Sequence, residues 1–76
     1  MRYNRLKLDV LTAFEGRGWL SVRMVSQLAG LSPVRLCYTY LLRLHRFGLL
    51  HRRRGSLIVY RLSERGRRRL LWLRRR

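Results

Sequence analysis

Glycine and proline cut this chain into pieces too short for anything but a small layered domain. Gly16 and Gly18, the Gly30-Leu31-Ser32-Pro33 run, Gly48 and Gly55 leave only short uninterrupted stretches between them. Glycine opens left-handed backbone angles and proline cannot continue a helix that it interrupts. Within 76 residues such pieces bury apolar surface only against one another, so a single domain over residues 1–76 is expected. A domain of this size removes only about 60% of its unfolded surface from water, which leaves a thin stability margin. No apolar run reaches the roughly 18 residues that a membrane-spanning helix needs.

Between the breaks the apolar residues set the period. Leu6, Val10, Ala13 and Phe14, broadened by Leu8 and Leu11, recur at helical spacing and predict a first helix from an Asn4 cap to about Glu15. Arg5 and Asp9, four apart, form a weak pair on it. Trp19 and Leu20 make a short extended stretch. Ser21 is the expected cap of a second helix, about 22–29, with Val25, Leu28 and Ala29 facing inward. Ser32 before Pro33 reads as a cap followed by proline at the first helical position. The third helix is then expected over about 33–47, with Cys37, Tyr40, Leu41, Leu44 and Phe47 inward and Gly48 as its stop. Two runs, Leu49–Arg53 and Leu57–Leu62, flank Arg54-Gly55-Ser56 and predict a β-hairpin. Ser63 caps a last helix to about Arg75, with Glu64 suited to its positive start and Gly66 costing roughly 1 kcal/mol against alanine. The expected fold is mostly α with a small β-hairpin (α+β): four helices and a two- to three-stranded wing.

Charge restricts the partner. Lys and Arg number 19 against 3 Asp and Glu, a net charge of +16, and Lys7 is the only lysine. Such an excess favours a polyanion, either nucleic acid or an anionic membrane surface, and makes the unliganded domain repel itself. The first residues carry charge without an apolar run behind them, unlike a secretory signal. Cys37 is the sole cysteine and forms no internal disulfide, so a reduced, cytoplasmic, nucleoid-associated setting is expected.

Helix, short strand, helix, tight turn, helix, hairpin, helix resembles the order of a winged helix-turn-helix domain. Leu31-Ser32-Pro33 followed by Leu41-x-x-Leu44 and Gly48-Leu49-Leu50 looks like the turn, recognition helix and exit of bacterial winged-helix regulators. Ser26, four before Gly30, holds the place of the small residue found there in many such units. Tyr60-Arg61-Leu62-Ser63-Glu64-Arg65-Gly66-Arg67 is similar to the strand-to-helix passage of the MarR and PadR groups. The resemblance covers roughly residues 4 to 75. It implies sequence-specific binding of double-stranded DNA by a homodimeric transcriptional regulator, without a cofactor. The wing is short, and long dimer helices and ligand-sensing extensions are missing.

The helix at 33–47 is the candidate for the major groove, whose width admits one α-helix. An inward Cys37, Leu41 and Leu44 leave Val34, Arg35, Tyr38, Thr39 and Leu42 outward. Arg35 matches the O6 and N7 edge of guanine with two donors. Tyr38 and Thr39 suit phosphate or a thymine methyl, and Arg43 extends the basic surface. Ser32 and Pro33 open the helix, where backbone N–H groups and the Ser32 hydroxyl suit phosphate. In the wing, Arg52, Arg53, Arg54, Gly55 and Ser56 are the candidates for the minor groove or the backbone. Strand alternation keeps Arg53 off the face shared by Arg52 and Arg54. Leu70, Leu71, Trp72 and Leu73 sweep most of the circumference of the last helix. One side is expected on the first helix and the other against a second copy, the membrane alternative being disfavoured by arginines on every face. An RNA- or ribosome-associated winged-helix module is the alternative reading of the same charge.

Catalysis and metal binding lack a recognisable pattern. His45, His51 and Cys37 sit in separate elements without zinc-site spacing, and Asp9, Glu15 and Glu64 are scattered. No glycine-rich nucleotide loop is present. The expectation is a binding protein, not an enzyme, with no metal.

Overall fold

The computed structural model describes residues 2–75. Among them, four helices and one three-stranded antiparallel sheet follow in the order α1 (Arg2–Phe14), β1 (Leu20–Ser21), α2 (Val22–Ala29), α3 (Val34–Arg46), β2 (Leu50–Arg54), β3 (Ile58–Leu62) and α4 (Glu64–Arg74). The sheet order is β1-β3-β2. This is a small winged-helix-like α+β fold. Arg76, part of the basic C-terminal run, lies outside the described residues.

Helix α1 begins at Arg2, so Asn4 lies within it and does not cap it. Nothing before Asn4 breaks a helix, and the first turn extends past it. Val10, Leu11, Ala13 and Phe14 enter the core, with Leu6 and Leu8 partly buried beside them. Helix α2 starts and stops where its punctuation sets it. The Ser21 hydroxyl accepts the Met24 N–H at 3.3 Å, and Gly30 ends the helix at φ +65°. The Ser26 hydroxyl donates to the Leu31 carbonyl at 2.6 Å, which holds the turn onto the helix. Leu28 is 47% exposed, against the expectation that it faces inward. It lies on the opposite side of Val25 from Ser26 and Ala29, beyond the arc that the neighbouring elements cover.

The start of α3 differs from the sequence reading by one position. Pro33 is the cap residue, with extended backbone, and no side chain caps the helix; Ser32 stands outside it. The Pro33 carbonyl accepts from Leu36 at 2.9 Å and Cys37 at 3.3 Å. Cys37, Tyr40, Leu41 and Leu44 are buried, but Phe47 is 51% exposed. Phe47 is the C-cap, and the chain turns there before its side chain reaches the core. Gly48 (φ +79°) donates to His45 at 2.9 Å and Leu49 donates to Leu44 at 3.0 Å, the pair of bonds of a Schellman turn.

In the sheet, Arg52 faces Tyr60, Arg53 faces Val59, Arg54 faces Ile58, and Leu20 pairs with Tyr60 from the other side. Alternation sends Leu20, Leu50, Tyr60 and Leu62 into the core. Ser63 then joins two elements: its hydroxyl accepts the Gly66 N–H at 2.9 Å and donates to the Gly48 carbonyl at 2.6 Å. Gly66 is buried against Leu49. Leu70 and Leu73 pack inward as α4 lies on α1, and Arg74 makes a two-pronged ion pair with Glu15 at the far ends of the two helices.

Candidate nucleic-acid interface

Helix α3 presents a basic outer face because its apolar stripe fixes the opposite side. Arg35, Thr39, Leu42 and Arg46 recur at i, i+4, i+7 and i+11, directly across from Cys37, Leu41 and Leu44. Arg35, Thr39 and Arg46 are exposed, and Thr39 donates to the Arg35 carbonyl at 3.2 Å. Val34 and Tyr38 are each 37% exposed. Arg43 is exposed on the flank of this face, where it lines an apolar hollow with Leu31, Leu36 and Thr39. Ser32 and Pro33 are exposed at the helix start.

The wing arginines divide between two faces. Arg52 points along the inner face toward α3: its Nε donates to the Tyr60 hydroxyl at 3.2 Å, and its guanidinium stands 6.0 Å from that ring. The hydrogen bond that it donates to the Tyr60 hydroxyl raises its pKa above the already high arginine value, and Tyr38 of α3 adds to the effect. Arg52 is half-buried on the side of the hairpin that carries Tyr60. Arg53 turns to the outer face and stacks on Trp19 at 4.4 Å, with Arg61 on the same ring at 5.8 Å. Arg54, Gly55 and Ser56 form the exposed tip. Leu57, 66% exposed, completes it as an apolar point.

Sequence reasoning passed over Arg46, Arg61, Trp19 and Leu57. The first was legible from the 3.6-residue period carried one turn further. Arg61 and Trp19 join Arg53 only through the β1-β3 pairing, whose strand is two residues long. Of the residues expected at a subunit interface, Leu70 and Leu73 lie in the domain's own core, while Leu71 (57%) and Trp72 (46%) remain exposed.

Cys37 is buried with its Sγ 3.7 Å from the Val22 carbonyl, and burial pushes its thiol up to about 11. The His45 ring donates from Nδ1 to the Leu50 carbonyl at 3.0 Å. Among the described residues no group of His, Cys, Asp and Glu side chains is placed to hold a metal ion. No described helix is long and apolar enough to cross a membrane.

The fold is that of a small winged-helix-like α+β domain, with exposed arginines on its third helix and on its hairpin. Compared with models of known protein families, with curated proteins and with solved structures, the chain gives no significant match.

Proposed function

We propose that this chain binds double-stranded DNA sequence-specifically, as a transcriptional regulator of the winged helix-turn-helix type acting as a homodimer. The observation that carries the reading is Arg52. Held by Tyr60 of the hairpin, with Tyr38 of α3 within electrostatic reach, it sits between the wing and α3, the two elements assigned to the duplex. The outer face of α3 enters the major groove, where Arg35 reads guanine and Arg46 and Thr39 meet phosphates. Arg54, Gly55, Ser56 and Leu57 lie along the adjoining minor groove or backbone. Leu71 and Trp72, exposed on α4, are the side chains assigned to contact with a second copy, and two protomers reach major grooves about 34 Å apart.

The charge supplies much of the affinity. If each protomer neutralises about four phosphates, a dimer releases counterions with a log–log salt slope near −7. The test is duplex selection and binding with Arg35→Ala and Arg54→Ala. The first is expected to flatten sequence preference and the second to weaken all duplexes alike. Unchanged binding in both variants, or a salt slope near zero, overturns the reading, and a clear preference for structured RNA at fixed salt replaces it. A strict monomer by light scattering at high micromolar concentration removes the dimer.

A further inference from the structure

The outer face of the sheet lies on the other side of the hairpin from Arg52 and Tyr60. Alternation sends Leu20, Leu50, Tyr60 and Leu62 into the core, so Ser21, His51, Arg53, Val59 and Arg61 fall on the outer side, each exposed or half-buried. The pairing sets them in rows: Ser21, Val59 and Arg53 in one, Arg61 and His51 in the next. Half-buried Trp19 directly precedes β1 and extends the second row beside Arg61. Arg53 comes from β2 and Trp19 from the β1 end, so their side chains meet across the middle strand, β3. There the Arg53 guanidinium stands 4.4 Å from the centre of the Trp19 ring, and Arg61 stands 5.8 Å from the same ring.

Strands about 4.8 Å apart make this a shelf roughly 10 Å wide from β1 to β2. It carries cations and a ring, while the 3 carboxylate side chains of the sequence lie elsewhere. Asp9 is in α1 beside Arg5, Glu15 follows α1 and pairs with Arg74, and Glu64 opens α4. What such a shelf holds depends on two kinds of attraction. The edge of a guanidinium donates to phosphate oxygens, whereas its plane, like that of an indole, stacks on a heterocycle. A duplex offers phosphates but hides the faces of its bases, which are stacked on one another. A single strand offers phosphates and open base faces together.

We propose that the outer sheet face, Trp19 with Arg53 and Arg61, is a platform for the unpaired bases of a single-stranded nucleic acid. Bases stack on the Trp19–Arg53 pair, and the strand's phosphates meet Arg61 and the edge of Arg53. The platform needs no duplex on α3. It adds a second class of substrate, nucleic acid with an unpaired segment, to the duplex assigned above.

The test compares an oligothymidylate with an abasic deoxyribose-phosphate oligomer of equal length, which keeps the charge and lacks the bases. At fixed salt the wild type is expected to bind the first at least about tenfold more tightly. In Trp72→Phe, Trp19 is the sole tryptophan of the sequence, and its fluorescence is expected to be quenched by the oligothymidylate and much less by the abasic oligomer. Both readouts use an intact Trp19 and decide whether or not Trp19→Leu folds. Trp19→Leu, with its fold checked by circular dichroism, is expected to remove the preference for bases, and Trp19→Phe, which keeps a ring, to retain most of it. Duplex affinity is expected to change less than about threefold in both. Equal binding of the two oligomers by the wild type, absence of quenching at Trp19, or a preference that survives in folded Trp19→Leu overturns the proposal. An equal loss of duplex and single-strand binding in that variant overturns it too. Oligoglutamate binding as tightly as oligothymidylate, with the same dependence on the ring, replaces the single strand by an acidic peptide. Failure to bind duplex with single-strand binding intact overturns the duplex reading alone.

Discussion

Gly66 gives the most direct check on the packing that positions the wing. On helix propensity alone, Gly66→Ala stabilises α4 by about 1 kcal/mol. The tertiary contact reverses that sign. A Cβ at Gly66 would lie 2.1 Å from the Leu49 carbonyl oxygen, 2.9 Å from Leu62 Cδ1 and 3.1 Å from the Leu49 carbonyl carbon. Relieving such a contact requires α4 and the start of β2 to separate by about 1 Å, because the nearest atom is backbone and not a flexible side-chain end. The same shift strains the Ser63 bonds to Gly66 and Gly48. Overpacking of this kind costs about 1–3 kcal/mol, and strained buried hydrogen bonds add to it, so a net loss of about 2 kcal/mol is expected after the propensity gain. In a domain of this size that lowers Tm by roughly 10–15 °C. Thermal unfolding followed by circular dichroism at fixed ionic strength reads it. Gly18→Ala serves as the control, since nothing lies within 4 Å of its Cβ position. A rise of several degrees for Gly66→Ala would show that α4 does not meet Leu49 as described.

Three further outcomes follow from the same geometry. Ser63→Ala removes both the α4 cap and the donor to the Gly48 carbonyl, and is expected to cost about 2 kcal/mol in denaturant unfolding, where a loss below about 0.5 kcal/mol would contradict the double role. Cys37 is expected to react slowly with a thiol reagent at pH 8 in the native protein and rapidly once unfolded. Its folded pKa, about 11, lies above the ordinary value near 9.0, so the unfolded state loses its proton first and stability falls as pH rises from about 9 to 11; Cys37→Ala flattens that part of the profile. Arg74 holds the Glu15 carboxyl below the ordinary value of 4.5, so the pair's contribution is present above that value and fades as pH falls through and below it. Glu15→Gln is expected to lower Tm slightly at pH 7, with the difference closing in acid.

What could be read from the chain depended on how local the determining contact is. Ser21 and Gly30 bracket α2 within the helix's own span, and its bounds follow from them. Ser63 likewise announces α4. The reading of Ser32 as a cap failed by one residue because Pro33, with extended backbone, takes the cap position itself. Leu28 and Phe47 fit a helical stripe yet stay exposed, since a stripe says which side can be buried and not how far the neighbouring elements extend over it. The role of Gly66 was hidden for the opposite reason. Its cost to the helix is a local property, whereas the reason for it, the Leu49 carbonyl, comes from the end of another element. Within the candidate interface, the outward side of α3 was legible from period alone. The division of Arg52 from Arg53 followed from strand alternation, but their aromatic partners did not.

Those partners explain how so unbalanced a charge is carried. With 19 basic and 3 acidic residues, carboxylates can neutralise only a small part of the cations. The ion pairs of the described residues include Arg5–Asp9 and Arg74–Glu15, both at the α1 and α4 side of the molecule. Around the wing the fold uses aromatic groups instead: Arg53 and Arg61 on Trp19, and Arg52 on Tyr60. A carboxylate partner would cancel the charge that a phosphate has to meet and would have to be displaced first. An aromatic ring orients the guanidinium and covers its apolar face, yet leaves its net charge and in-plane donors available. Arg52, Arg53 and Arg61 are therefore oriented without being neutralised, the condition that a surface contacting a polyanion has to satisfy, and exchange of Trp19 for a residue without a ring removes the orientation of Arg53 and Arg61 while leaving every charge intact.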